Sequence, residues 1–350
     1  MADRLDALTR VLAAHAHAYD ASGEWPQACL DAYAAAGGWS WSVPRAHGGA
    51  GLSARERLRA YMALARGDMS TALFITQHDG AVDLLVDSDN AALRREYLPR
   101  YARGEGLTTI GYSQLTTSRQ GGPPALVAEP SGDGWHLRGV LPWVTGADHV
   151  ESVMAGAVQP DGQQVILLLR FEMPGVVIEP PLRLLALDSS HTSLVRCTDA
   201  MVPARFLVAG PTERVLARRS AVRALLVSAT GIGLLGAMAD ALAALAPGSL
   251  PDGAVRADAL AAQAEALAER LDSLAAQEPP PAEPVDALRA EVNDLLVRWG
   301  AALLVHGKGT GYLRDSLPQR LAREALFFCV WSAPDGIRRQ TLERLLGKPG

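Results

Sequence analysis

Cysteine is scarce in this 350-residue chain: Cys29, Cys197 and Cys329 are the three there are. They are far apart and form no CxxC pair, so they read as buried free thiols of a reducing compartment rather than as a disulfide framework. Long apolar runs are missing too, none approaching the roughly 18 residues of a membrane span. The start, Met1-Ala2-Asp3-Arg4-Leu5, reads as an amphipathic helix without the apolar stretch of a secretion signal. The expected location is the cytoplasm. Charge of one sign is not massed anywhere: the formal net charge is -5 with interspersed signs, which leaves no broad basic face for nucleic acid or anionic lipid. Asp148-His149, His191 and His306 show neither metal-ligand spacing nor a partner motif, so no metal is expected. There is no internal repeat.

What is present is a core-forming composition, 49% hydrophobic, in a chain long enough for two or three lobes. Leu5, Leu8, Val11 and Leu12 form one helical stripe, and Leu58, Met62, Leu64 and Ala65 suggest another. Between them Trp41 to Ser53 is a glycine-rich loop, ending where Ser53 and Glu56 have capping-box spacing. From about residue 108 the texture turns to short β-rich runs such as Trp135 to Leu141, Val153 to Val158 and Gln164 to Leu169, with no helical segment between. After Pro211 helical periodicity returns. Leu260, Ala264, Leu267, Leu271 and Leu274 form one stripe and Leu288, Val292, Leu295 and Trp299 another, joined by the stiff, proline-rich stretch Gln277 to Pro284. The spacing therefore predicts an α+β multi-lobe protein. Its parts are an N-terminal α-helical domain over 1–107, a central mainly antiparallel β-barrel or sheet domain over 108–210, and a C-terminal four-helix bundle over 211–350.

Several local motifs fall along this layout in a fixed order. They are Val43-Pro44-x-x-x-Gly48-Gly49-x-Gly51, Leu115-Thr116, Trp143-Val144-Thr145, Met201-Val202-Pro203, Gly309-x-Gly311-Tyr312 and the run from Arg323-Glu324-Ala325 through Trp331-Ser332 to Ile337-Arg338-Arg339. In order and spacing they resemble, over essentially the whole chain, the acyl-CoA dehydrogenase superfamily. The resemblance implies FAD, with FMN as an alternative, contacted by Leu115, Thr116, Trp143, Thr145, Gly309 and Gly311. A flat apolar wall from Trp143 and hydroxyls from Thr116 and Thr145 suit an isoalloxazine ring. It also implies an acyl-thioester or other small-molecule substrate and a homodimer or homotetramer.

The departures from the family pattern are as informative. Ser332 stands where the family has its catalytic glutamate, and Arg223 matches the alternative base position on an earlier helix. Neither is a base at neutral pH, and losing a general base costs about 10²–10⁴-fold in rate. The family's diphosphate-binding Arg-x-x-Phe-Gly segment corresponds here to Ala246 to Gly253, with no arginine. Thr117 replaces the acid of the family's Thr-Glu-Pro, leaving Arg119 as the nearby candidate phosphate contact. Weak or lost flavin binding follows from that. His78, with an unperturbed pKa near ~6.5, and Asp335, three residues past Ser332, are the candidate replacement catalytic groups. Three readings stay open: a flavin-dependent monooxygenase-like oxidoreductase, a dehydrogenase with an unusual base, and a flavin-free binding or scaffold protein on the same fold.

Overall fold

The computed structural model describes residues 1–116, 122–217, 220–245 and 250–347. Thr117, Arg119 and Ala246 to Ser249 lie outside the described residues. Helices α1 (Ala2–Ser22), α2 (Gln27–Ala35), α3 (Ala54–Gly67), α4 (Met69–Val86) and α5 (Ala91–Ala102) come first. Strands β1 (Thr108–Gly111), β2 (Leu126–Ser131), β3 (Gly134–Val144), β4 (Ser152–Val158), β5 (Gln164–Arg170), β6 (Val176–Ile178), β7 (Ser193–Pro203) and β8 (Leu207–Thr212) follow. Helices α6 (Ala221–Leu245), α7 (Gly253–Ala275), α8 (Ala282–Gly307), α9 (Leu317–Phe327) and α10 (Asp335–Leu346) complete the chain.

The strands form one eight-stranded sheet in the order β6-β7-β3-β2-β4-β5-β8, with β1 pairing β4 off that path. Pairing is antiparallel except for β1 with β4 and β2 with β4, which run parallel. Alternation along β3, with Leu137 and Leu141 fully buried and Arg138 exposed, gives the sheet one face for a core.

Two apolar cores result, and α4 belongs to both. Met69 and Ala72 to Ile75 pack with α1, α3 and the C-terminal helices, whereas Ala81, Val82, Leu84 and Leu85 pack with the sheet. Most of α4 is buried, its polar residues Thr71, Thr76, His78 and Asp79 included. It is held by a buried polar network: Arg57 of α3 donates to both carboxylate oxygens of Asp83 at 2.7 and 2.9 Å. The Tyr61 hydroxyl and Ser42 Oγ donate to Asp79 at 2.7 and 2.8 Å.

Sequence periodicity and packing mostly coincide. Leu5, Leu8 and Leu12 are buried, but Val11 is 41% exposed, because the stripe continues through Ala16 instead. Helix α6 is long and apolar enough to pass for a membrane span by length and composition, although Ser228 and Thr230 interrupt its apolar run; 72% of its most apolar window is buried within the protein. It packs on α3, α7 and α8. Gly233 makes the first contact possible, since a Cβ there would stand 2.2 Å from the Met62 carbonyl oxygen. All three thiols are free, and burial pushes Cys29 and Cys197 up to about 12.

Candidate active site

A cavity of about 480 Å³ opens where the N-terminal helices, the sheet and the C-terminal helices meet. Helix α4 contributes Leu73 and Gln77, the strand ends contribute Ile110, Tyr112, Trp143 and Thr145, and the loop before β7 contributes Leu184 to Ala186 and Thr192. Arg323, Leu326 and Phe327 of α9, with Val330 to Ser332 of the turn after it, form the remaining wall.

The indole of Trp143 is 50% exposed at the end of β3. Opposite in character, Thr145 is buried, and its Oγ1 lies 3.1 Å from Thr192 Oγ1, which in turn lies 2.9 Å from Ser190 Oγ. Thr116 Oγ1 donates to the Ser113 carbonyl at 3.1 Å. Among the described residues, Ser113 Oγ, on the cavity wall, has no partner. A half-exposed flat ring beside several hydroxyls and one orphaned donor fits the ring system of a flavin, which needs an apolar wall and a few hydrogen bonds at its polar edge.

Arg323 anchors the α9 side. Its guanidinium donates to Gln319 Oε1 at 2.7 Å, the Leu185 carbonyl at 2.8 Å and Asp20 Oδ2 at 2.5 Å, tying α9 to α1 and to the cavity loop. The turn after α9 is propped by Arg289, whose Nη2 donates to the carbonyls of Phe328 and Trp331, each at 3.0 Å. Burial holds that guanidinium down at about 9. Phe327 stacks on Trp331 with centroids 5.3 Å apart, and Ser332 follows in the left-handed region at φ 44°.

Thr116, Trp143, Thr145 and Ser332 are thus brought together as the sequence suggested. The other candidates are not. His78 is completely buried, and its Nδ1 donates to the Thr108 carbonyl at 2.9 Å. Trp39, Phe74 and Tyr101 box in the ring, and burial holds its pKa below the ordinary value, so it stays neutral and sealed off. Asp335 sits exposed in the first turn of α10, paired with Arg338, and does not line the cavity. Arg223, in the first turn of α6, is not part of the lining either. Leu115 packs against the sheet core, and Gly309 and Gly311 lie in the turn after α8.

Gln77, Tyr112, Ser113, Thr192 and Arg323 line the cavity without having been singled out for it. Leu73 and Gln77 are four residues apart on one face of α4, a spacing that selects Gln77 over His78. Thr192 carried no such signal, since its partner Thr145 is 47 residues away.

Residues 5–105 match the family model for the acyl-CoA dehydrogenase N-terminal domain. The whole described chain has the corresponding fold: glutaryl-coenzyme A dehydrogenase in complex with glutaryl-CoA superposes with a TM-score of 0.84 at 17% identity, covering 99% of this chain and 94% of that one. The N-terminal part thus matches that family's N-terminal domain, and the described chain has the acyl-CoA dehydrogenase fold. KijD3, in complex with FMN and dTDP-3-amino-2,3,6-trideoxy-4-keto-3-methyl-D-glucose, superposes with a TM-score of 0.78 at 20% identity, covering 99% and 93%. In sequence, isobutylamine N-hydroxylase of Streptomyces viridifaciens is 26% identical over 193 residues, 53% of this chain and 51% of that protein. The matched stretch therefore spans about half the length of that relative. The chain is thus similar to acyl-CoA dehydrogenases, to a protein named an N-hydroxylase and to one solved in complex with FMN and a nucleotide-linked amino sugar.

Proposed function

We propose that the chain is a flavin-dependent oxidoreductase of acyl-CoA dehydrogenase type that has left α,β-dehydrogenation for monooxygenase-like chemistry on a small substrate. One observation carries this reading. Among the described residues lining the cavity there is no carboxylate, imidazole, thiol or lysine, only hydroxyls, Gln77 and the thrice-bonded Arg323. Abstraction of a carbon-bound proton needs a base within hydrogen-bond reach of it, and this wall offers none.

The flavin, FAD in the first instance and FMN as the alternative, would supply the redox chemistry, with Trp143 as its wall and Thr145, Thr192 and Thr116 at its polar edge. The chain's own residues bind, orient and keep out water. Leu73, Ile110, Leu184, Phe327 and Trp331 make the substrate side apolar, which favours an uncharged or largely hydrocarbon substrate group. Similarity to an N-hydroxylase and to an FMN-bound protein supports the same direction. Exposed Val305, Tyr312, Leu313 and Leu317 around the end of α8 and start of α9 support self-association of the C-terminal part as a dimer or higher.

The test is a visible-range titration of the purified protein with FAD and with FMN, followed by anaerobic addition of acyl-CoA esters. Flavin binding without bleaching by any ester is the expected outcome. Bleaching would return the chain to dehydrogenation, and no binding of either flavin would favour a cofactor-free binding protein on the same fold.

A further inference from the structure

Asp148, His149 and His191 come from two separate turns, yet their candidate ligand atoms lie within 4.8 Å of one another. Spacing along the chain shows no metal-ligand pattern for them, yet His191 and Asp148, 43 positions apart in sequence, lie 2.8 Å apart in space, Nδ1 to Oδ2. We propose that they form a binding site for a divalent transition-metal ion of the zinc or nickel type, independent of the flavin reading.

The chemistry of His191 is the starting point. Its Nε2 lies 3.2 Å from the Gly23 carbonyl and its Nδ1 2.8 Å from the Asp148 carboxylate, so both ring nitrogens face oxygen acceptors. A neutral imidazole has one N–H. If Nε2 donates to Gly23, Nδ1 of the neutral ring faces an anionic oxygen, an arrangement that either a second ring proton or a metal ion satisfies. A backbone carbonyl fixing the remote nitrogen is also how ligating histidines are ordinarily held. His149 Nε2 stands 3.9 Å from the same Asp148 oxygen. Donors bound at about 2.0–2.1 Å to one ion stand about 2.9–3.4 Å apart, so a small rotation of partly exposed side chains closes the set.

Backbone and ring contacts hold the two turns together. The Gly146 N–H donates to the carbonyls of Ser190 and His191 at 2.9 and 3.1 Å, stapling one turn to the other. The His149 ring lies flat on Trp25 at 4.3 Å and 5°, and His191 is held in the left-handed region at φ 48°, a conformation that persists when the surroundings enforce it. Two imidazoles with one carboxylate select borderline metals over magnesium or calcium. The half-open position leaves the remaining coordination to water, which makes the ion exchangeable.

Isothermal titration of the metal-free protein with zinc, with magnesium as control, tests this. Wild type should bind one zinc per chain saturably, with no response to magnesium. His149→Phe keeps a ring on Trp25 and Asp148→Asn keeps the shape; each should weaken zinc at least tenfold while leaving the metal-free melting temperature unchanged. Absence of saturable zinc binding to wild type, or retention of full affinity in either folded variant, would overturn the proposal and, in the second case, point to the thiols.

Discussion

Trp143 shows how a single residue can report a site. Trp143 keeps 50% of its surface exposed on a cavity wall, whereas Trp135 of the same strand is buried. Trp143→Ala should therefore lower flavin affinity at least tenfold in a spectral titration. Its cost in thermal stability should stay well below the about 3–5 kcal/mol of truncating a buried tryptophan. Trp143 and Thr145 were legible because they sit in one short motif. His78 shows the limit at this scale: residue type made it a candidate base, whereas complete burial among Trp39, Phe74 and Tyr101 makes it a neutral packing residue.

Helix boundaries are where local sequence rules act most directly, and α3 is the clearest case. Ser53 accepts from the Glu56 N–H, and Glu56 Oε2 accepts from the Ser53 N–H at 2.8 Å, so the capping box expected from the spacing is formed. Ser53→Ala should cost about 1 kcal/mol, read as a lower urea midpoint with an unchanged slope. Capping was legible because it involves residues three apart. The orientation of Val11 was not, because a stripe can run through Ala16 as well as through Val11, and only α2, α3 and the loops packed on α1 decide between them. In helix α6 the polar residues Ser228 and Thr230 are buried with the apolar ones, so unbroken apolar letters understate how enclosed the helix is.

Across the whole molecule the least expected feature is charge buried between lobes. Glu324 of α9 is enclosed near Arg320, Arg323, Asp68 and Asp20, and burial above all raises its pKa from 4.5 to about 7, with Arg320 opposing. The folded chain then holds a proton that the unfolded chain has released between those two values. Stability tied to that proton is fully present below 4.5 and is lost as pH rises to about 7. Melting temperatures of Glu324→Gln should decline less between about pH 5 and pH 8 than those of wild type. An equal decline in both would assign the pH dependence to other groups.

The sequence by itself determined the layout of helices, sheet and helices, because periodicities of 3.6 and 2 are written into neighbouring residues and the motifs lie along them in order. Residue type at Ser332, a serine and not a carboxylate, is likewise a matter of sequence alone. Only the tertiary structure decided which polar groups share a wall. Thr192 meets Thr145, and His191 meets Asp148, through turns that sequence distance does not relate. His78 and Gln77 are adjacent in the chain, yet a 100° step around a helix puts one in the core and the other at the cavity.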